Sequence, residues 1–188
     1  MISNFRVLGA GVWGLAFSDY LLKLGHNVEI FCRDTNLNTK NVSGLKLSRV
    51  SEKNIMSLDT LNAQKSSGEI NIIAVSSKGF NELLNKHESY FSTLNELVSL
   101  TKGLDHLSGK YFSDYVFDMF SNIKKYGFLS CPSFAKDLCF EKKISVSCST
   151  FDHGLSKLTL ESTKSSHFEM IPSTYIYQIE IAGIIKNI

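Results

Sequence analysis

Three glycines near the amino terminus form the most informative chemical pattern in this 188-residue sequence. Gly9, Gly11 and Gly14 follow the predicted strand 5–8 at the spacing G-x-G-x-x-G. Such a turn between a strand and a helix presents unpaired backbone N–H groups, and the helix dipole adds positive potential there. Gly9 allows the tight turn, Gly11 lets a ligand approach the main chain, and Gly14 permits close helix–strand packing. The pattern predicts a site for the diphosphate of a dinucleotide, with a purely structural turn as the alternative.

The end of the second predicted strand bears on which dinucleotide fits. That strand covers residues 28–32 and is followed by Arg33 and Asp34. Sites for NAD usually place an acidic residue about 20 residues after the glycines, whereas an arginine accommodates the 2′-phosphate of NADP. Cys32 leaves no carboxylate at the strand end, so the sequence predicts that NADPH is tolerated. A solvated turn made by Arg33 and Asp34 is the alternative.

Short apolar runs alternate with helical patterns along the chain, which is typical of βαβ units around a parallel sheet. Strands are predicted at residues 5–8, 28–32, 70–75, 97–101, 128–130, 144–148 and 168–170. Helices are predicted at residues 12–24, 79–86, 111–124 and 173–188. The fold class is therefore α/β, with a doubly wound and mostly parallel sheet of the Rossmann type. The last helix ends in apolar Ile184, Ile185 and Ile188 without a visible partner, which predicts that the chain is cut short.

Composition excludes several classes of protein. The 20 basic and 18 acidic side chains leave a net charge of +2, too little for a nucleic-acid surface. No apolar run approaches the roughly 18 residues that span a bilayer, and the amino terminus does not resemble a signal peptide. We therefore expect a cytoplasmic protein without membrane insertion.

The cysteines and histidines do not indicate a metal site. The four cysteines include no C-x-x-C pair, and no histidine stands at zinc-finger spacing from them. Cys148 lies in an apolar run, where a buried structural role is expected. His26 and His87 follow predicted helices, where solvated or dipole-complementing roles are expected.

Six segments resemble, in order and at similar spacing, the successive motifs of bacterial NAD(P)-dependent glycerol-3-phosphate dehydrogenase. They are Val-Leu-Gly-Ala-Gly-Val-Trp-Gly (7–14), Gly-His-Asn-Val-Glu-Ile-Phe-Cys-Arg-Asp (25–34), Ile-Ala-Val-Ser-Ser-Lys (73–78), Ser-Leu-Thr-Lys-Gly-Leu (99–104), Leu-Ser-Cys-Pro-Ser-Phe-Ala-Lys (129–136) and Ile-Glu-Ile-Ala-Gly-Ile-Ile-Lys-Asn-Ile (179–188). The resemblance implies a Rossmann domain at residues 1–172. Residues 173–188 would then be the first helix of a missing, all-helical substrate domain.

The resemblance also implies an activity and a set of site residues. Family members interconvert dihydroxyacetone phosphate and sn-glycerol 3-phosphate with NAD(P)H, which supplies phospholipid synthesis. The implied cofactor contacts beyond the glycines are Val12, Trp13, Arg33, Lys102 and Ala135. The implied substrate contacts are Lys102, Cys131 and Ser133. Lys186 falls on the catalytic lysine, and a homodimer of the intact protein is left open.

Chemistry supports the two lysines and leaves alternatives for each. Reduction of a ketone builds negative charge on oxygen, which an ammonium group such as that of Lys186 can stabilise and protonate. The alternative for Lys186 is a cation at a helix C-terminus. Lys102 is either a ligand of a phosphate or carbonyl oxygen or a solvated loop cation. Ser133 either bonds a ligand or caps a helix.

Two other functions remain alternatives to this dehydrogenase. One is a non-catalytic NAD(P)-binding fragment that lacks the substrate domain. The other is a different dehydrogenase that combines a Rossmann domain with a helical domain.

Overall fold

A central sheet with helices on both faces forms the fold of the computed structural model, which describes residues 1–37, 42, 44–61, 69–105, 108–130, 135–140, 142–150 and 155–185. The strands are β1 (Asn4–Leu8), β2 (Asn27–Cys32), β3 (Ile55–Ser57), β4 (Glu69–Ile73), β5 (Glu96–Ser99), β6 (Lys125–Ser130), β7 (Ile144–Thr150) and β8 (Phe168–Ser173). The helices are α1 (Val12–Lys23), α2 (Ser77–Lys86), α3 (Glu88–Phe91), α4 (Phe112–Met119), α5 (Ala135–Cys139), α6 (Lys157–Thr163) and α7 (Ile176–Ile185).

The order of the strands is β3-β2-β1-β4-β5-β6-β7-β8. The first six strands of the chain run parallel to one another, β7 runs antiparallel to β6, and β8 runs parallel to β7. The chain builds outward from β1 in one direction and then crosses to β4 on the other side of β1. This confirms the predicted doubly wound, mostly parallel α/β fold.

Each face of the sheet packs its own apolar core, because successive strand residues point to opposite faces. Val7 packs with the side chains of α1, whereas the adjacent Leu8 packs with those of α2, α3 and α4. Both residues are fully buried. Burial on both faces explains why the central strands appear in the sequence as continuous apolar runs.

Several predicted boundaries differ from the structure, and two of these differences have a direct physical reason. The helix predicted to reach residue 124 ends at Met119, because the chain must begin β6 at Lys125. The strand predicted at residues 168–170 continues to Ser173, so that Pro172 lies within β8. Since β8 is an edge strand, the missing N–H of proline costs the sheet no hydrogen bond on its open side.

The two histidines that follow helices are buried rather than solvated. His26 is 8% exposed, its Nδ1 accepts a hydrogen bond from the Ser3 amide at 3.1 Å, and its Nε2 lies 2.7 Å from the Ser162 carbonyl oxygen. His87 is 9% exposed, and burial lowers its pKa. Cys148 is fully buried in β7, as predicted.

Helix α7 packs across β6 and β7. Its buried residues are Ile176, Glu180 and Gly183, so this part of the helix has a partner that the sequence did not reveal. Ile185 remains 63% exposed, and Ile188 lies outside the described residues. Among the described residues, no helix is long and apolar enough to cross a membrane.

Candidate functional site

The glycine turn between β1 and α1 is fixed by close contacts of the main chain. Gly9 has φ +121°, and a Cβ atom added there would lie 2.5 Å from the carbonyl oxygen of Ala74. A Cβ at Gly14 would lie 2.1 Å from the carbonyl oxygen of Gly9. Both glycines are therefore required by the packing of α1 against the ends of β1 and β4.

Gly11 differs from its two neighbours because the protein itself leaves room for a side chain there. A Cβ at Gly11 would meet only the carbonyl oxygen of Ala74, at an ordinary 3.7 Å. Gly11 is the N-cap of α1, and no side chain caps the first turn. The first turn also contains no acidic residue. The N-terminal amides and the positive end of the helix dipole are thus available to an anion, which fits the diphosphate of a dinucleotide.

A cleft of about 310 Å³ opens beside this turn. It lies at the carboxyl ends of β1, β2 and β4, where the chain crosses from one half of the sheet to the other. Ligands of open α/β sheets bind at such crossover points. Its lining includes Gly9, Ala10, Gly11, Cys32, Arg33, Asp34, Leu58, Val75, Glu82, Leu83, Lys86 and His87.

The rim of the cleft carries charges of both signs. Arg33 Nη1 lies 3.6 Å from Glu82 Oε2, and both side chains are largely exposed. Lys86 Nζ forms a second exposed ion pair, 3.0 Å from Asp59 Oδ1. Beneath Arg33, burial raises the pKa of the Cys32 thiol, which therefore behaves as a neutral lining group.

Lys102 stands on the other side of the glycine turn, in the loop after β5. Its Nζ lies 5.9 Å from the centroid of the Trp13 ring, within the range of a cation–π interaction. A Cβ at Gly183 would lie 3.6 Å from Lys102 Cγ and 3.3 Å from Ser130 Oγ. The ends of β5 and β6, the start of α1 and the second half of α7 therefore meet around Lys102.

A buried carboxyl group holds α7 in this position. Glu180 is fully buried and accepts hydrogen bonds from the Ser113 amide at 3.2 Å and from Ser113 Oγ at 2.6 Å. Burial raises the pKa of Glu180 to about 7. Ser113 lies in the first turn of α4, so this carboxyl group joins two helices. In the sequence, the signal for this contact is a single acidic residue between Ile179 and Ile181.

The structure brings together part of the predicted site. Gly9, Gly11 and Arg33 line the cleft, whereas Trp13 and Lys102 line a separate, smaller cavity. Val12 is 37% exposed at the first position of α1. Ala135 begins α5 and is buried in the core on the α1 face.

Three other predicted residues, Cys131, Ser133 and Lys186, lie outside the described residues. The roles of all the predicted site residues stay predictions. Among the described residues, no group of three or more His, Cys, Asp or Glu side chains is arranged to hold a metal ion.

A comparison with known protein families identifies the family of this chain. A family model described as NAD-dependent glycerol-3-phosphate dehydrogenase N-terminus matches residues 4–153. The chain belongs to this family. Membership confirms the resemblance found in the sequence and the NAD(P) class of cofactor predicted from the glycine turn.

Relatives of this chain share its fold but are longer. Glycerol-3-phosphate dehydrogenase [NAD(P)+] of Francisella tularensis subsp. novicida is 27% identical to it, over 100% of this chain and 58% of the relative. The enzyme of the same name from Rickettsia bellii is 28% identical, over 98% of this chain and 60% of the relative. The crystal structure of glycerol-3-phosphate dehydrogenase from Coxiella burnetii has a TM-score of 0.78 and 18% identity, and covers 97% of this chain and 57% of that one. The chain thus spans a little over half the length of these relatives.

Proposed function

We propose that the intact protein is an NAD(P)-dependent glycerol-3-phosphate dehydrogenase that interconverts dihydroxyacetone phosphate and sn-glycerol 3-phosphate for phospholipid synthesis. The observation that carries this proposal is the open N-terminus of α1 beside Gly11 at the crossover point of the sheet. The ammonium group of Lys102 stands at the same edge of the sheet, in a chain that belongs to the family. When bound, the nicotinamide cofactor supplies or accepts the hydride.

The proposed binding role of each residue follows from its charge and its place at the edge of the sheet. The amides of the α1 N-terminus, from Val12 to Gly14, would hold the diphosphate, and Arg33 would face the adenosine ribose. The resemblance places Ala135 at the cofactor as well, and we keep that role as a proposal. Trp13 shields one side of Lys102 from water, which strengthens the attraction of that ammonium group for an anion.

The two lysines would stabilise the negative charge on the oxygen atoms of the substrate. We assign Lys186 as the acid that protonates the developing alkoxide and as the base in the reverse direction. Lys102 would bind a phosphate or carbonyl oxygen of the substrate, together with Cys131 and Ser133. The close approach of Gly183 on α7 to the Lys102 side chain supports the pairing of these two lysines in one site, since Lys186 follows Gly183 by three positions in the sequence.

A spectrophotometric assay of the full-length protein tests the proposal. We expect loss of NADH or NADPH absorbance that depends on dihydroxyacetone phosphate. Lys102→Met should lower kcat/KM by about 100-fold, since it removes a preorganised charge from the site. Lys157→Met is the matched control, because Lys157 is an exposed lysine on α6, and it should leave kcat/KM unchanged.

Two outcomes would contradict the proposed activity. Oxidation of neither coenzyme in the presence of the substrate would overturn the assignment. Binding of NADH without turnover of any hydroxy acid or ketone would instead support the alternative of a non-catalytic dinucleotide-binding module. Turnover of a different hydroxy acid would support the other dehydrogenase.

The proposal also covers the organisation of the intact protein. Residues 1–172 would form the coenzyme domain, and residues 173–188 would begin the substrate domain. We propose that the intact protein is cytoplasmic and can form a homodimer; the exposed apolar side chains of α7, among them Tyr177 and Ile181, offer a surface for a second copy or for the rest of the substrate domain. Light scattering of the purified protein and fractionation of the cells that express it test these two expectations.

A further inference from the structure

The ion pair at the end of β2 lies where this fold recognises the 2′ position of the adenosine ribose, which carries a phosphate in NADP and a hydroxyl in NAD. Arg33 directly follows Cys32, the last residue of β2. In this fold an arginine at that position accommodates the 2′-phosphate of NADP, whereas NAD presents a neutral 2′-hydroxyl there. The reasoning below therefore rests on the dinucleotide occupying the cleft, as proposed above.

Arg33 already has an anionic partner on the opposite rim. Glu82 on α2 approaches its guanidinium to 3.6 Å, and both residues line the cleft. The side chains are 76% and 62% exposed, so the pair is weak and either group can reorient. Asp34, another carboxylate, lines the same rim. An arriving phosphate group would meet the Arg33 guanidinium with the Glu82 carboxylate beside it.

We propose that Glu82 sets the coenzyme selectivity of this protein by competing with the 2′-phosphate for Arg33, and that it thereby favours NADH over NADPH. A phosphate must displace the Glu82 carboxylate from Arg33 and then remain near a like charge. The 2′-hydroxyl of NADH carries no charge and can donate a hydrogen bond to a carboxylate. The same ion pair therefore opposes one coenzyme and tolerates the other.

The test is direct measurement of coenzyme binding to the intact protein by titration calorimetry. Glu82→Gln should lower the Kd for NADPH about three- to tenfold, the size expected for removing one exposed charge close to a phosphate. The Kd for NADH should change less than about twofold, because its ribose is neutral. The gain for NADPH should shrink as salt is added, since the interaction is between solvated charges.

Glu161→Gln provides a matched control. Glu161 is also an exposed glutamate in a surface pair, 3.5 Å from Lys157, but it lies on α6 away from the cleft. This variant should leave the ratio of the two dissociation constants unchanged. Arg33→Gln should raise the Kd for NADPH more than that for NADH. Equal thermal unfolding temperatures of the variants would show that their folding is intact.

The outcomes separate this inference from the proposed function. If wild-type protein binds both coenzymes but Glu82→Gln leaves their ratio unchanged, Glu82 has no part in selectivity and only this inference fails. The same conclusion follows if Arg33→Gln affects both coenzymes equally. If the wild-type protein binds neither coenzyme, the dinucleotide site itself is wrong and the proposed function fails with it.

Discussion

Replacing Glu180 by glutamine should remove a pH dependence that this carboxyl group imposes on the stability of the fold. Glu180 is fully buried, and its hydrogen-bond donors are the amide and hydroxyl groups of Ser113. These bonds favour the charged form, but burial is the larger effect and raises the pKa from 4.5 to about 7. In the unfolded chain the same group should titrate near its ordinary value.

The sign of the effect follows from the direction of this shift. Between the two pKa values the folded protein keeps a proton that the unfolded chain releases, so rising pH favours unfolding. The stabilisation is fully present below pH 4.5 and is lost as the pH rises through about 7. At about 1.4 kcal/mol for each pH unit of difference, the loss is about 3 kcal/mol as an upper limit.

Urea unfolding of the wild-type chain and of Glu180→Gln at about pH 5 and about pH 8 measures this effect. Glutamine cannot ionise, so between the two pH values the free energy of unfolding of the variant should rise relative to wild type by up to about 3 kcal/mol. Glu161→Gln, an exposed control, should follow wild type at both pH values. Equal pH dependence in wild type and Glu180→Gln would refute the reasoning, because Glu180 would then ionise as readily in the fold as in the unfolded chain.

Three other substitutions test the packing that supports the site. Gly14→Ala should destabilise the chain by about 1–3 kcal/mol and weaken NADH binding, because its Cβ would collide with the Gly9 carbonyl oxygen; urea unfolding and titration measure the two effects. Asp19→Ala should cost about 3 kcal/mol in urea unfolding, since the buried Asp19 carboxylate accepts hydrogen bonds from the amides of residues 48–50; a cost below about 0.5 kcal/mol would contradict this reading. Gly79→Ala should instead raise the free energy of unfolding by about 0.5–1 kcal/mol, because Gly79 is helical and a Cβ there makes only ordinary contacts, so a lower thermal unfolding temperature would count against it.

The features that sequence predicted well are those set by neighbouring residues. The glycine turn joins consecutive elements, so the local spacing of Gly9, Gly11 and Gly14 indicated both the fold and the cleft, although Gly9 also packs against the distant Ala74. The alternation of apolar strands with helices indicated the doubly wound sheet. Helix α6 was missed because it is short and rich in Thr and Ser, which have modest helix propensity. Its N-cap, Ser156, accepts a hydrogen bond from the Thr159 amide, and this bond adds helix stability that the low propensity of these residues does not provide.

The features that sequence did not predict depend on partners far along the chain. His26 contacts the Ser162 carbonyl group, 136 residues away, and no local sequence pattern predicts that hydrogen bond. The pairing of Glu82 with Arg33 likewise depends on how α2 lies beside the end of β2. Glu180 gave the clearest missed signal, because a lone charge in an apolar helix requires a buried partner.

The antiparallel turn at β7 has an electrical consequence for the edge of the sheet where the cleft opens. After a parallel strand, a helix presents its N-terminus to that edge, as α1 does with its positive pole. Because β7 and β8 run the other way, α7 travels back toward the end of β6 and brings its second half to Ser130 and Lys102. The N-terminus of α1 therefore contributes a positive potential that attracts anions. The second half of α7 contributes a negative potential that attracts ammonium groups. Two strands that run against the other six thus bring helix ends of both polarities to one edge of the sheet.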